Sequence, residues 1–142
     1  MAKRFNYKKW FLVSILVWFV SSVWTFITCG WLFNGIYRIQ PVIWRTPQQI
    51  SSVSSIIGSN LIGLVTAMII VSVFLLIKKQ IPYSKWRRGV VYGALLWLIG
   101  PFIFIAALPF FMTIAVEVIA YWLINYLVIY MILGGIIGAF YR

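Results

Sequence analysis

A chain of 142 residues that is 64% hydrophobic and 9% charged, with a mean hydropathy of +1.04, carries more apolar surface than a soluble core of that length can bury, so lipid is its expected solvent. Twelve Lys and Arg against one acidic residue give a formal charge of +11. In a soluble protein that would suggest nucleic acid; here the cations cluster at the ends of apolar runs, a membrane-topology pattern, so no nucleic-acid partner is expected.

One cysteine and no histidine leave no disulfide framework, no zinc site and few catalytic constellations. No metal, no cofactor and no enzymatic activity are therefore expected.

In chain order, Lys3, Arg4, Lys8 and Lys9 precede an apolar run over residues 10–33. Cleavable secretory signals have apolar regions of about 7–15 residues, so this longer run reads as an uncleaved first span. Ser21, Thr25 and Cys29 recur every four residues and put small polar groups on one helix face, which is expected to pack inward. Cys29 reads as a buried span cysteine, because Thr28 stands where a lipoprotein signal carries Ala or Gly.

Residues 34–53 form the long connection. Its Ile36, Tyr37, Ile39, Val42, Ile43 and Trp44 are too apolar for a freely solvated loop, so an interfacial outer segment is expected, with Tyr37 and Trp44 at headgroup level. Thr46-Pro47-Gln48-Gln49 has the order of a helix start: Thr as N-cap, Pro in the first helical position, Gln three after the cap. The second helix should begin near Pro47 and cross the membrane over residues 54–77. Ser55, Ser59, Gly63 and Ala67 lie four apart on it, a flat strip that a neighbouring helix can approach, with contact expected along the outer half. Asn60 sits one residue round from the strip, and its amide is expected to find a partner inside the bundle.

Lys78, Lys79, Lys85, Arg87 and Arg88 fill or border a second loop, residues 78–87, broken at Ile81-Pro82, with Ser84 as N-cap of a third span over residues 88–108. Gly89 with Gly93, and Gly134 with Gly138, make two GxxxG pairs at matching depth in the third and fourth spans. Such pairs let two helices close on each other; an oligomer contact is the alternative. Pro101 should kink the third span, and Pro109 should mark the turn into the fourth, residues 113–140. That span exceeds 20 residues, so tilt is expected.

Ten basic residues fall on the side of the termini and the second loop, and two, Arg38 and Arg45, on the other. This bias places both termini in the cytoplasm. The basic belt sets orientation; holding anionic lipid headgroups through Lys78, Lys79, Lys85, Arg87 and Arg88 is the further role, at about 1 kcal/mol per cation near the surface.

Glu117 is the one acidic residue, and an ionisable group in a span is a functional candidate by default. Counted back from Arg142 at about 1.5 Å per residue it lies about 37 Å away, past a hydrocarbon layer of about 30 Å, so it is expected near the outer headgroups. It shares that face with Arg38 and Arg45, and an ion pair tying the long loop over the bundle is expected.

The fold expected is an all-α membrane protein, one domain over residues 1–142, with four transmembrane helices in two hairpins. The expected location is the cytoplasmic membrane of a prokaryote. A non-enzymatic protein acting through helix–helix or lipid contacts, as an accessory or assembly subunit, fits best. Its partners would be membrane lipids, a second copy or another membrane protein.

The alternative is a small oligomeric transporter or channel with Glu117 as coupling carboxyl and Asn60 and Asn125 on a polar path. In outline it resembles small proton-coupled multidrug exporters, but their essential glutamate lies in the first helix and Glu117 in the fourth. A transporter needs polar residues from several helices to converge on a wetted cavity; a packing protein needs them scattered or paired singly.

Overall fold

The structure is a computed structural model that describes residues 6–41 and 44–141. Lys3, Arg4, Val42, Ile43 and Arg142, which enter the charge count and the interfacial segment, lie outside the described residues. Every regular element among the described residues is helical; besides a 3-10 turn at Asn34–Arg38 these are α1 (Tyr7–Leu32), α2 (Pro47–Ile50), α3 (Val53–Ile77), α4 (Lys85–Phe110) and α5 (Val116–Phe140). All but α2 are long and apolar enough to cross a membrane. At 25 or 26 residues each extends about 38 Å, longer than a bilayer core of about 30 Å, so in crossing one each would tilt or protrude.

Local chemistry sets the helix ends. The Asn6 side chain accepts from the Lys9 amide at 3.0 Å, so α1 starts at Tyr7, ahead of the apolar run. Thr46 and Gln49 form the reciprocal capping box: the Thr46 amide donates to Gln49 Oε1 at 3.0 Å, and the Gln49 amide to Thr46 Oγ1 at 3.3 Å.

The helix begun at Pro47 does not run on, however. Ser52 and Ser55 both donate to the Gln49 carbonyl, at 2.8 and 2.9 Å, and Ser52 becomes a second N-cap. Serine hydroxyls compete with the backbone for its own hydrogen bonds, and here they split one expected helix into α2 and α3.

Two long helices contain wide turns. Phe26–Leu32 of α1 and Leu98–Phe102 of α4 wind as π-helix, the latter around Pro101, whose missing N–H the longer-range pattern accommodates. Pro109 lies in the 3-10 turn that ends α4. Thr113 stays in the connection, and α5 starts at Val116.

The four long helices close into a ring held by one aromatic donor at each seam. Trp10 on α1 donates to Ser72 Oγ on α3 at 3.0 Å, and Trp24 on α1 to Asn125 Oδ1 on α5 at 2.8 Å. Trp97 on α4 donates to the Leu123 carbonyl of α5 at 3.0 Å, and the Tyr92 hydroxyl on α4 to the Ile70 carbonyl of α3.

The tightest seam joins α4 to α5. A Cβ added at Gly89 would land on the Gly134 carbonyl, one at Gly93 on the Tyr130 carbonyl, one at Gly134 on the Gly89 carbonyl, and one at Gly138 2.7 Å from the Gly89 nitrogen. Backbone therefore lies on backbone, the contact that small residues permit in a membrane. Lys85 enters α4 at φ 52°, with its carbonyl against Gly138.

Both described chain ends and the 78–84 connection meet at one end of the bundle, where Lys9 Nζ and Lys78 Nζ lie 5.0 and 5.5 Å from the centre of the Tyr141 ring. The core sits in this terminal half, around Val13, Val17, Val71, Phe74, Tyr92, Leu133 and Ile137. The opposite, loop half is more open.

Candidate functional site

In the loop half, three helix faces with helical spacing surround a crevice of about 470 Å³. Val17, Trp18, Ser21, Trp24, Thr25 and Cys29 come from α1; Gly63, Thr66, Ala67 and Ile70 from α3; Trp122, Asn125, Tyr126, Ile129, Tyr130 and Leu133 from α5. Tyr37 and Trp44 of the long connection complete it. Its floor is buried at Val17, Ala67, Ile129 and Leu133. Thr25, Thr66 and Tyr126 are its exposed lining residues, so it reaches the surface of the bundle. Among the described residues no charged side chain lines it.

Polar groups in the crevice are neutral. Asn125 is engaged by Trp24, Thr25 donates back to the Ser21 carbonyl at 2.9 Å, and Cys29 Sγ lies 3.7 Å from the Tyr121 hydroxyl. Trp18 seats its indole edge in the notch at Gly63, where an added Cβ would come within 3.2 Å. The buried indole nitrogens of Trp18 and Trp44 have no hydrogen-bond partner among the described residues. The crevice can hold apolar or neutral amphipathic matter, and it offers donors rather than charge.

The long connection packs on protein at the mouth. Trp122 Nε1 donates to the Tyr37 hydroxyl at 3.2 Å; Tyr37 and Trp44 meet edge to face at 5.1 Å, Trp44 and Trp122 at 5.3 Å, and Phe33 lies 5.0 Å from Tyr121. Burial pushes the Tyr37 phenol above its ordinary value, so it stays neutral as it accepts from Trp122.

The expected ion pair is absent: among the described residues Glu117 makes no salt bridge with Arg38 or Arg45, and all three are exposed. Aromatic contacts tie the connection down instead, which avoids the cost of desolvating two charges. Glu117 occupies the first turn of α5, where a carboxylate complements the helix dipole.

Asn60 also departs from expectation. Its amide donates to the Ile56 carbonyl of its own helix at 2.8 Å, and the residue is exposed, whereas Asn125 reaches a neighbouring helix.

The small-residue strip of α3 divides. Gly63 and Ala67 pack against the bundle, but Ser59 is exposed and donates to the Ile56 carbonyl, so contact lies toward the terminal half rather than along the loop half. The hydroxyls of Ser55 and Ser59 are satisfied within their own chain segment and draw no second helix in. Gly89, Gly93, Gly134 and Gly138 do meet, and are thereby spent inside the α4–α5 seam.

Of the basic belt, Lys78 lies over Tyr141, Arg88 Nε donates to the Tyr83 carbonyl at 2.6 Å, and Arg87 lies 5.8 Å from the Trp86 ring; Lys79 and Lys85 are exposed.

What sequence reasoning missed is the aromatic wall. Trp122, Tyr126 and Tyr130, four apart on α5, were its legible signal. The same three line a groove of about 420 Å³ beside the Pro101 turn. Comparison with known protein families, curated proteins and solved structures returns no match.

Proposed function

We propose that this small membrane protein is non-enzymatic, has both termini in the cytoplasm, and acts through contacts with lipids and neighbouring helices, as an accessory or assembly partner. The observation that carries this reading is the neutrality of the crevice: polar groups from three helices approach it, yet no charged side chain among the described residues lines it, and its most polar member, Asn125, is engaged by Trp24. An ion-coupled transporter needs a carboxyl or basic group facing its path. Glu117, the chain's one carboxyl, is exposed at the loop end and is not among the lining residues.

The test is reconstitution into sealed vesicles, with proton and cation flux recorded for the wild type and for Glu117→Gln. No flux above empty vesicles is expected from either; flux abolished by Glu117→Gln would overturn the reading in favour of a transporter. Sided labelling of the same vesicles checks topology: Lys79 and Lys85 should react from the side opposite Arg38 and Arg45, and reaction from the same side would contradict it.

A further inference from the structure

We infer that the crevice is a phospholipid site: one acyl chain lies between α3 and α5, and the phosphate is held by Arg38 and Arg45 at the mouth. This rests on the lipid-contact reading above.

The first argument is length. The lining runs from Cys29 to Val17 on α1, about 18 Å, and from Trp122 to Leu133 on α5, about 16 Å. That is about half of a 30 Å hydrocarbon layer, the depth of one leaflet. The crevice also reaches the apolar flank of the bundle, where its lining residues Thr25, Thr66 and Tyr126 are exposed, so a chain can enter from the bilayer without crossing water.

Chemistry at the mouth supplies the second argument. Tyr37 and Trp44 are the two members of the long connection that line the crevice, and each is followed directly by an arginine. Their rings lie 5.1 Å apart, so the two residues that immediately precede Arg38 and Arg45 meet at the mouth. Both arginines are exposed, and among the described residues neither side chain has an ion-pair or hydrogen-bond partner. Two guanidinium groups reaching that mouth would match a phosphate above an acyl chain. The buried, unpartnered Trp44 N–H lies at the same level, where a glycerol ester oxygen would satisfy it.

The experiment uses the full chain in mild detergent, titrated separately with dioleoyl phosphatidylglycerol, with dioleoylglycerol, which has the same chains without phosphate, and with inorganic phosphate. Native mass spectrometry reads the adducts, and the alkylation rate of Cys29, the one thiol, on the crevice wall, reports location.

Phosphatidylglycerol is expected to give a one-to-one adduct and to slow alkylation, dioleoylglycerol to bind at least tenfold more weakly, and inorganic phosphate to protect nothing. Replacing both arginines, Arg38→Gln with Arg45→Gln, should erase the difference between the two lipids. Equal binding of the two lipids by the wild type, or an adduct that leaves Cys29 alkylation unchanged, overturns the inference. Neither result depends on a variant folding, and neither touches the flux test of the broader reading.

Discussion

Among the described residues indole and phenol groups on α1 and α4 donate four interhelical hydrogen bonds to oxygen acceptors of the neighbouring helices. Interhelical hydrogen bonds in membranes contribute about 0.6 kcal/mol on average and up to about 1.7. Trp24→Phe removes one and leaves the Asn125 amide unpaired in an apolar crevice. A fall of about 2–6 °C in detergent melting temperature is expected. Adding Asn125→Leu should return part of it, because replacing both partners with apolar groups leaves nothing unsatisfied. A Trp24→Phe chain that melts with the wild type would show that the bond contributes nothing. Residue identity alone was a poor guide to these roles. Asn60 and Asn125 look alike in the sequence, yet one bonds to its own helix and the other crosses to its neighbour, because only Asn125 faces an indole on the adjacent helix.

At the scale of the element, the α4–α5 seam is held by backbone contact that tolerates no added atom. Gly89→Ala would drive a methyl group into the Gly134 carbonyl, which cannot rotate aside, so the cost should reach or exceed the 1–3 kcal/mol or so of ordinary overpacking. Gly58→Ala on α3 meets nothing within 4 Å and should be neutral or gain up to about 1 kcal/mol. Parallel melting curves separate the two; equal behaviour would mean that the seam is loose.

The GxxxG pairs were legible because two glycines at matching depth on consecutive helices find each other through a short turn. The strip from Ser55 to Ala67 has the same spacing and was only half informative: spacing marks a face that can be approached, and the serines there had bonding partners within their own segment. The π turns and the break before Val53 were not legible as such. They arise from competition for backbone carbonyls and from a proline's missing donor, which apolar periodicity does not record.

As a whole, the molecule is clamped at one end and open at the other. Its terminal half holds Phe74, Tyr92, Ile137 and the glycine seam, while beyond Gly63 the exposed Ile56, Ile57, Leu61 and Ile62 show α3 standing away from the bundle. Composition announced a multi-pass helical protein, because no other solvent accommodates so much apolar surface. It did not announce the asymmetry between the halves, which depends on where Trp18 meets Gly63.

That asymmetry has a direct test in paired spin labels on a Cys29→Ser background in lipid nanodiscs. One pair spans the terminal half, at Leu76 and Phe140, and the other spans the crevice, at Leu61 and Tyr126, all exposed positions. Sparse packing around the loop half of α3 requires a broad distance distribution for the crevice pair and a narrow one for the terminal pair. Distributions of equal width, or a broad one at the terminal end, would contradict a bundle clamped by its glycine seam and open at its crevice.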